Sequence, residues 1–273
     1  MNWQKQLLNR GREDCAISTG ISNFINVVIR LLLTISLGLV AASCFSSKEV
    51  KASFTLNPES LRYLYDSNPI DCNRDKVVYF ELFDSIPLNN YTPFNKKGWG
   101  AIPLVAFNLF WQNYEVVMGQ DMAFPNYHQF FSESIITESQ RTGCFTLKEK
   151  QSEHDTYILK LMIDKCETKS KLTSTFGFMV GGYTASSGDG HTGKPSNTEL
   201  IVNAELLQNG VTIFEKEYNL IHHQPFLSKT YQAPNARNTD IDLKHNMVES
   251  LSFATKNIIE NIILDINNTL TSL

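Results

Sequence analysis

The hydrophobic pattern is most regular at the end of the chain. Leu243, Met247, Leu251, Ala254, Ile258, Ile262, Ile266 and Leu270 recur at steps of three or four residues, which predicts one long helix with a single apolar face. At 1.5 Å per residue that face runs for about 45 Å. Thr239, with Asp242 three residues on, reads as a capping arrangement at its start. Upstream the period falls to two: Leu200, Val202, Ala204 and Leu206 alternate, Asn209-Gly210 offers a tight turn, and Val211 to Ile221 returns, predicting a β-hairpin. Before it, Tyr127, Phe131 and Ile135 are spaced i, i+4, i+8 after Pro125 and predict an amphipathic helix that stops at Gly143.

Other segments fill in the plan. Residues 76–84 (KVVYFELFD) read as a strand, as do 144–147 and 156–166, and 173–180 as another. Asn57-Pro58-Glu59-Ser60 reads as the start of a helix through SLRYLYD, 86–97 as loop, and Gly181–Asn197 as a flexible loop between strands. Residues 98–121 are the most apolar stretch after residue 43. Either they are a core strand or hairpin, or Trp99, Phe107, Phe110 and Trp111 form an exposed contact with a membrane or a partner. The order of elements predicts an α+β fold: a mixed or antiparallel sheet, helices packed on one face, and a long C-terminal helix.

The N-terminus has a different character. Lys5, Arg10, Arg12 and Arg30 precede an uncharged run, Leu31 to Ser43, too short for a comfortable membrane span but suited to a signal-peptide core. It ends in Ala41-Ala42-Ser43 directly before Cys44. This resembles the lipobox of bacterial lipoproteins, with Ala41 standing where that family usually has Leu. The resemblance implies cleavage before Cys44 and lipidation of its sulfur. Phe45-Ser46-Ser47, which lack the inner-membrane-retaining Asp of the enterobacterial pattern, imply an outer-membrane location facing the periplasm or the surface. The domain plan is then a signal peptide over 1–43, a lipidated cysteine and tether over 44–57, and one domain over 58–273.

Composition narrows the function classes. With 42% apolar and 19% charged residues the chain is neither disordered nor fibrous. Its 24 basic against 28 acidic residues give no footprint for nucleic acid. Removing residues 1–43 takes away four basic and two acidic residues, and the remainder is more acidic still. Beyond Cys44 the three cysteines Cys72, Cys144 and Cys166 allow one internal disulfide, with Cys144 and Cys166, flanking an expected hairpin, as the first choice; the alternative is that all three are buried thiols.

The candidate chemical motifs fall short of what their chemistry needs. Gly188 to Lys194 matches the first seven places of a phosphate-binding loop, but Pro195 replaces the hydroxyl residue that would hold Mg²⁺. His191, His222, His223 and Asp189 invite a metal reading, yet adjacent histidines on a strand point to opposite faces and no HExxH or paired CxxC is present. Ser186 and Ser187 lack a GxSxG elbow, and the acid pairs Glu81/Asp84 and Asp240/Asp242 suit element ends. No catalytic residue, metal site or cofactor is therefore expected. The expected function is a non-enzymatic, membrane-anchored envelope lipoprotein, a docking or auxiliary subunit of a transport or cell-wall assembly with an envelope protein partner. Its order of elements is similar to that of small periplasmic auxiliary lipoproteins. The alternative is a surface-anchored hydrolase or small-ligand-binding protein with its site near the 181–197 loop.

Overall fold

A computed structural model describes residues 57–84, 88–103, 107–149, 156–181, 184–194, 196–223 and 236–272, with Val28, Arg30, Ala52, Phe54 and Thr55. Apart from Val28 and Arg30, the expected signal peptide lies outside the described residues, as do Cys44 and most of the tether. The chain divides into two compact units.

The larger unit is built on a sheet in the order β10-β9-β7-β2-β6. Here β2 is Val77–Asp84, β6 Thr146–Glu149, β7 Tyr157–Gly181, β9 Asn197–Gln208 and β10 Val211–His223. Strand β2 runs parallel to both β6 and β7, whereas β9 is antiparallel to β7 and to β10. The sheet is mixed and the fold is α+β. The register aligns apolar residues of one face into rows: Phe80, Leu159, Leu206 and Phe214 form one, and Ile163, Val202 and Tyr218 another. Two helices, α1 (Tyr127–Thr142) and α2 (Ala236–Thr271), pack on each other. Helix α2 packs against β9 and β10, and α1 against β2 and β6.

The helical stripes read from the sequence are the ones that are buried. Tyr127, Phe131 and Ile135 of α1 are buried, and so are all eight positions from Leu243 to Leu270 on α2. Burial of each such side chain contributes roughly 1.5–3 kcal/mol. Asn126 caps α1, its side chain accepting from the Gln129 N–H at 2.8 Å, and Gly143 ends the helix. The β9–β10 turn places Asn209 at φ 51° and Gly210 at φ 82°, the pair of left-handed residues that such a hairpin requires. Helix α2 begins at Ala236, so Thr239 lies within it and does not cap it.

Four further expectations are corrected. Residues 57–66 do not form a helix: Glu59–Ser60 is a short strand, β1, parallel to β5 (Ala123–Phe124), and the chain then runs on with side chains alternately more and less exposed. Its backbone groups are taken by distant partners. The Leu61 N–H donates to Phe124 O, the Arg62 N–H to Ser252 Oγ, and Arg141 donates to the carbonyls of Tyr65 and Ser67. The expected strands 156–166 and 173–180 are one continuous strand, β7, with a register irregularity between Ile163 and Lys165. The expected 181–197 loop contains a strand, β8 (Thr184–Gly193), paired with β7. The loop expected over 86–97 gives way at Phe94 to β3 (Phe94–Pro103), which pairs with β4 (Phe107–Val117).

Disulfide pairing is also corrected. Cys144 is bonded to Cys72, and Cys166 carries no disulfide. Strands β6 and β7 both run parallel to β2, which lies between them, so Cys144 and Cys166 do not flank a hairpin. Two strand spacings of about 4.8 Å already exceed the Cα separation of about 7 Å that a disulfide spans.

Candidate functional site

The smaller unit contains the described parts of Trp99–Trp111 and Thr175–Asp189, the ends of two hairpins, β3–β4 and β7–β8. These two stretches hold one charged residue, Asp189. Large apolar side chains face outward on them: Trp99 is 67% exposed, Met179 53%, Ile102 45% and Phe107 37%. Phe110 and Trp111 are half-buried. Trp111 lies over Gly100, where a β-carbon would clash with the indole ring; the glycine lets the indole cover the neighbouring strand.

Residues 98–121 are buried in one part and exposed in another. Tyr114, Val116, Val117, Met118 and Met122 are core residues of the larger unit, whereas Trp99 and Phe107 are exposed.

One concavity has no counterpart in the sequence pattern. In the larger unit the extended residues 60–66 and α2 enclose a groove of about 310 Å³. Extended backbone turns alternate side chains the same way, so Ser60, Arg62, Leu64 and Asp66 line it opposite His245, Val248 and Phe253. His245 Nδ1 lies 3.0 Å from a Glu59 carboxylate oxygen, and Lys256 is paired with Asp66. That hydrogen bond from Lys256 holds the Asp66 carboxyl below its usual range. Reading 57–66 as helix hid the alternation that makes this groove.

The larger unit also buries polar groups. Glu138 is fully buried on α1, and one of its oxygens is 2.8 Å from Ser67 Oγ, which also lies 2.8 Å from Glu260. Burial, reinforced by Glu138 and Glu260, pushes the Tyr63 phenol far above its usual range. On α2, burial raises the Asp242 carboxyl and lowers the Lys244 ammonium, whose Nζ donates to Asn57 O.

The candidate metal residues are not brought together. His222 packs on the Phe253 ring with centroids 4.4 Å apart, and His223 shares a hydrogen bond with Asn197. His191 and Asp189 contribute described backbone to β8, Asp189 at the limit of the smaller unit. Among the described residues no group of three His, Cys, Asp or Glu could hold a metal ion. Asp84 closes β2 together with Glu81, and Asp240 and Asp242 lie in the first turns of α2.

No family model matches the chain, and no curated protein sequence matches it. Among solved structures it is similar to the crystal structure of a Xanthomonas campestris protein placed in family DUF330, at 9% identity and a TM-score of 0.40, covering 79% of this chain and 98% of that one.

Proposed function

We propose that the protein is a non-enzymatic lipoprotein of the bacterial cell envelope, held to a membrane through Cys44 and acting as a docking or auxiliary subunit of an envelope transport or cell-wall assembly. The observation that carries this reading is the pair of hairpin ends, with Asp189 their one charged residue, that turn Trp99, Ile102, Phe107 and Met179 outward. Its chemistry suits a contact surface. The lipobox-like sequence ending at Cys44 supplies the tether. Two or three acyl chains on that cysteine would anchor the domain stably, since each buried CH₂ contributes about 0.8 kcal/mol.

The test is co-purification from crosslinked membranes of cells expressing the full chain. The wild type is expected to bring down a stoichiometric assembly. A Trp99→Ser, Phe107→Ser double variant is expected to stay in the membrane fraction and lose that assembly. Recovery of the bare protein from wild-type membranes would count against the reading.

A further inference from the structure

The face of the larger unit's sheet turned away from its helices is laid out as ion pairs. Lys160 is paired with Glu205, Lys165 with Glu199 at 2.6 Å, and Lys169 with Glu167 at 2.7 Å. Such pairing is what an acidic chain, with 28 acidic against 24 basic residues, makes easy. The pattern breaks at the end of the row. Lys171, next outward on β7, and Lys194, one residue past β8, are both exposed, and among the described residues neither ammonium group has an acidic partner. The bonds of Asn113 to Thr173 and of Met118 to Thr168 bring Glu115 of β4 opposite Lys171, but that carboxylate is paired with Lys97 at 3.1 Å.

The two residues are fixed beside each other. The Lys194 N–H donates to Lys171 O at 2.8 Å, and the buried Ser170 hydroxyl donates to Lys194 O at 2.6 Å. Together with Glu115, Lys169, Ser170 and Asn197 they line a depression of about 400 Å³. The Asn197 side-chain oxygen is taken by His223, which leaves its amide nitrogen as a donor. Adjacent unpaired ammonium groups repel each other, and an anion between them removes that cost.

The lining also selects the anion. Lysine binds phosphate as a compact point charge, whereas the planar fork that grips a carboxylate belongs to arginine, which is absent from the described lining. A phosphate monoester carries about −1.5 to −2 charge near pH 7, which two unpaired ammonium groups balance. A single carboxylate leaves one of them uncompensated. Lys194 is also the lysine of the phosphate-loop-like run that starts at Gly188. That run does not cradle phosphate with its backbone, because residues 188–193 belong to β8 and the chain continues into β9, not into a helix. The fold keeps the lysine and discards the loop.

We propose that Lys171 and Lys194, with Lys169 and the Asn197 amide, form a binding site for a phosphate monoester, carried either by a soluble molecule or as the headgroup of a phosphatidic acid lipid. The site lies wholly within the larger unit and does not depend on lipidation of Cys44.

The experiment uses the full chain in uncharged detergent and phosphate-free buffer with excess chloride. Calorimetric titration is run with glycerol phosphate as the soluble probe and with short-chain phosphatidic acid as the lipid probe. Saturable binding of glycerol phosphate assigns a soluble ligand, and saturable binding of the lipid probe alone assigns a headgroup. The Lys171→Gln, Lys194→Gln double variant is expected to weaken that binding by about tenfold per lysine. Lys148→Gln, which removes an exposed lysine of β6 outside the depression, is expected to leave it unchanged. Without ligand, the thermal midpoint of the double variant is expected to hold or rise, since the change relieves a repulsion; a fall would show that the lysines are paired and would count against the site. No saturable binding of either probe, or equal binding by wild type and double variant, would overturn the proposal. Equal weakening by Lys148→Gln would reduce the binding to general charge attraction and overturn it as well.

Discussion

At the scale of single residues, the Cys72–Cys144 bond and the Tyr218 hydroxyl make the clearest claims. The disulfide joins residues 72 apart, and the chain-entropy model assigns such a loop about 4 kcal/mol. It fastens the irregular 61–76 segment to the end of α1, where Arg74 Nε donates to Gly143 O at 3.1 Å and the Ile70 N–H donates to Arg141 O at 3.1 Å. Cys72→Ser is expected to cost about 2–5 kcal/mol in denaturant unfolding, and Cys166→Ser much less. Equal costs would reassign the bond. The Tyr218 hydroxyl donates to Asp265 at 2.7 Å, and burial first, then that bond, pushes its ionisation far above the usual value near 10. The folded state thus retains a proton that the unfolded state loses, so the stability this group contributes is complete below pH 10 and lost as pH rises beyond it. Tyr218→Phe is expected to lower stability at pH 8 by about 1 kcal/mol and to flatten the decline between pH 9 and 11. An unchanged alkaline slope would contradict the assigned shift.

At the scale of elements, legibility followed whether one simple period governed the segment. Helix α2, helix α1 and the β9–β10 hairpin follow one period each, and their stripes and turn are where the sequence places them. Strand β7 reads as two pieces, 156–166 and 173–180, because residues 167–171 carry no apolar side chain. In the sheet that run is itself alternating: Lys165, Glu167, Lys169 and Lys171 face outward, whereas Thr168, Ser170 and Leu172 are buried. The buried hydroxyls are satisfied in place. Thr168 and Thr198 are 2.9 Å apart, Thr198 and Ser250 2.7 Å, and Ser170 donates to Lys194 O at 2.6 Å. A period-two pattern whose inward face is polar gives no hydrophobic signal. Ser250→Ala is expected to cost about 1–3 kcal/mol by orphaning that chain of hydroxyls. Thermal unfolding beside exposed Ser272→Ala checks it. Gly100→Val tests the other hairpin: its side chain needs the space occupied by Trp111, so the indole emission is expected to shift toward that of exposed tryptophan while far-ultraviolet circular dichroism is kept. An unchanged emission would remove the Trp111–Gly100 contact from the account.

At the scale of the molecule, the fold class was legible in the sequence, whereas Trp99, Phe107, Phe110 and Trp111 stood open between core and exposed contact, and only Trp99 and Phe107 are exposed. Trp99 and Phe107 were legible as contact candidates because amphipathic aromatics in an uncharged run are costly to leave in water. The strands that carry them were harder to see. Glycine, serine and threonine along β8 have no strand period of their own, and pairing with β7 is what makes them a strand. The groove between residues 60–66 and α2 was hidden for a related reason, since tertiary partners and not local propensity hold the backbone of residues 62–67. No helix among the described residues is long and apolar enough to cross a membrane, and on the proposed reading attachment falls to Cys44 and to the hairpin unit. The two attachments are separable, because the first is a covalent modification and the second is a surface.

The most direct test of the account is the intact mass of the protein recovered from the membrane fraction, beside Cys44→Ser. The account predicts a chain that begins at Cys44 and carries a diacylglyceryl group, and a Cys44→Ser variant that stays unprocessed or leaves the membrane. A wild-type mass that still includes residues 1–43, or a soluble cleaved chain indifferent to Cys44→Ser, would contradict it.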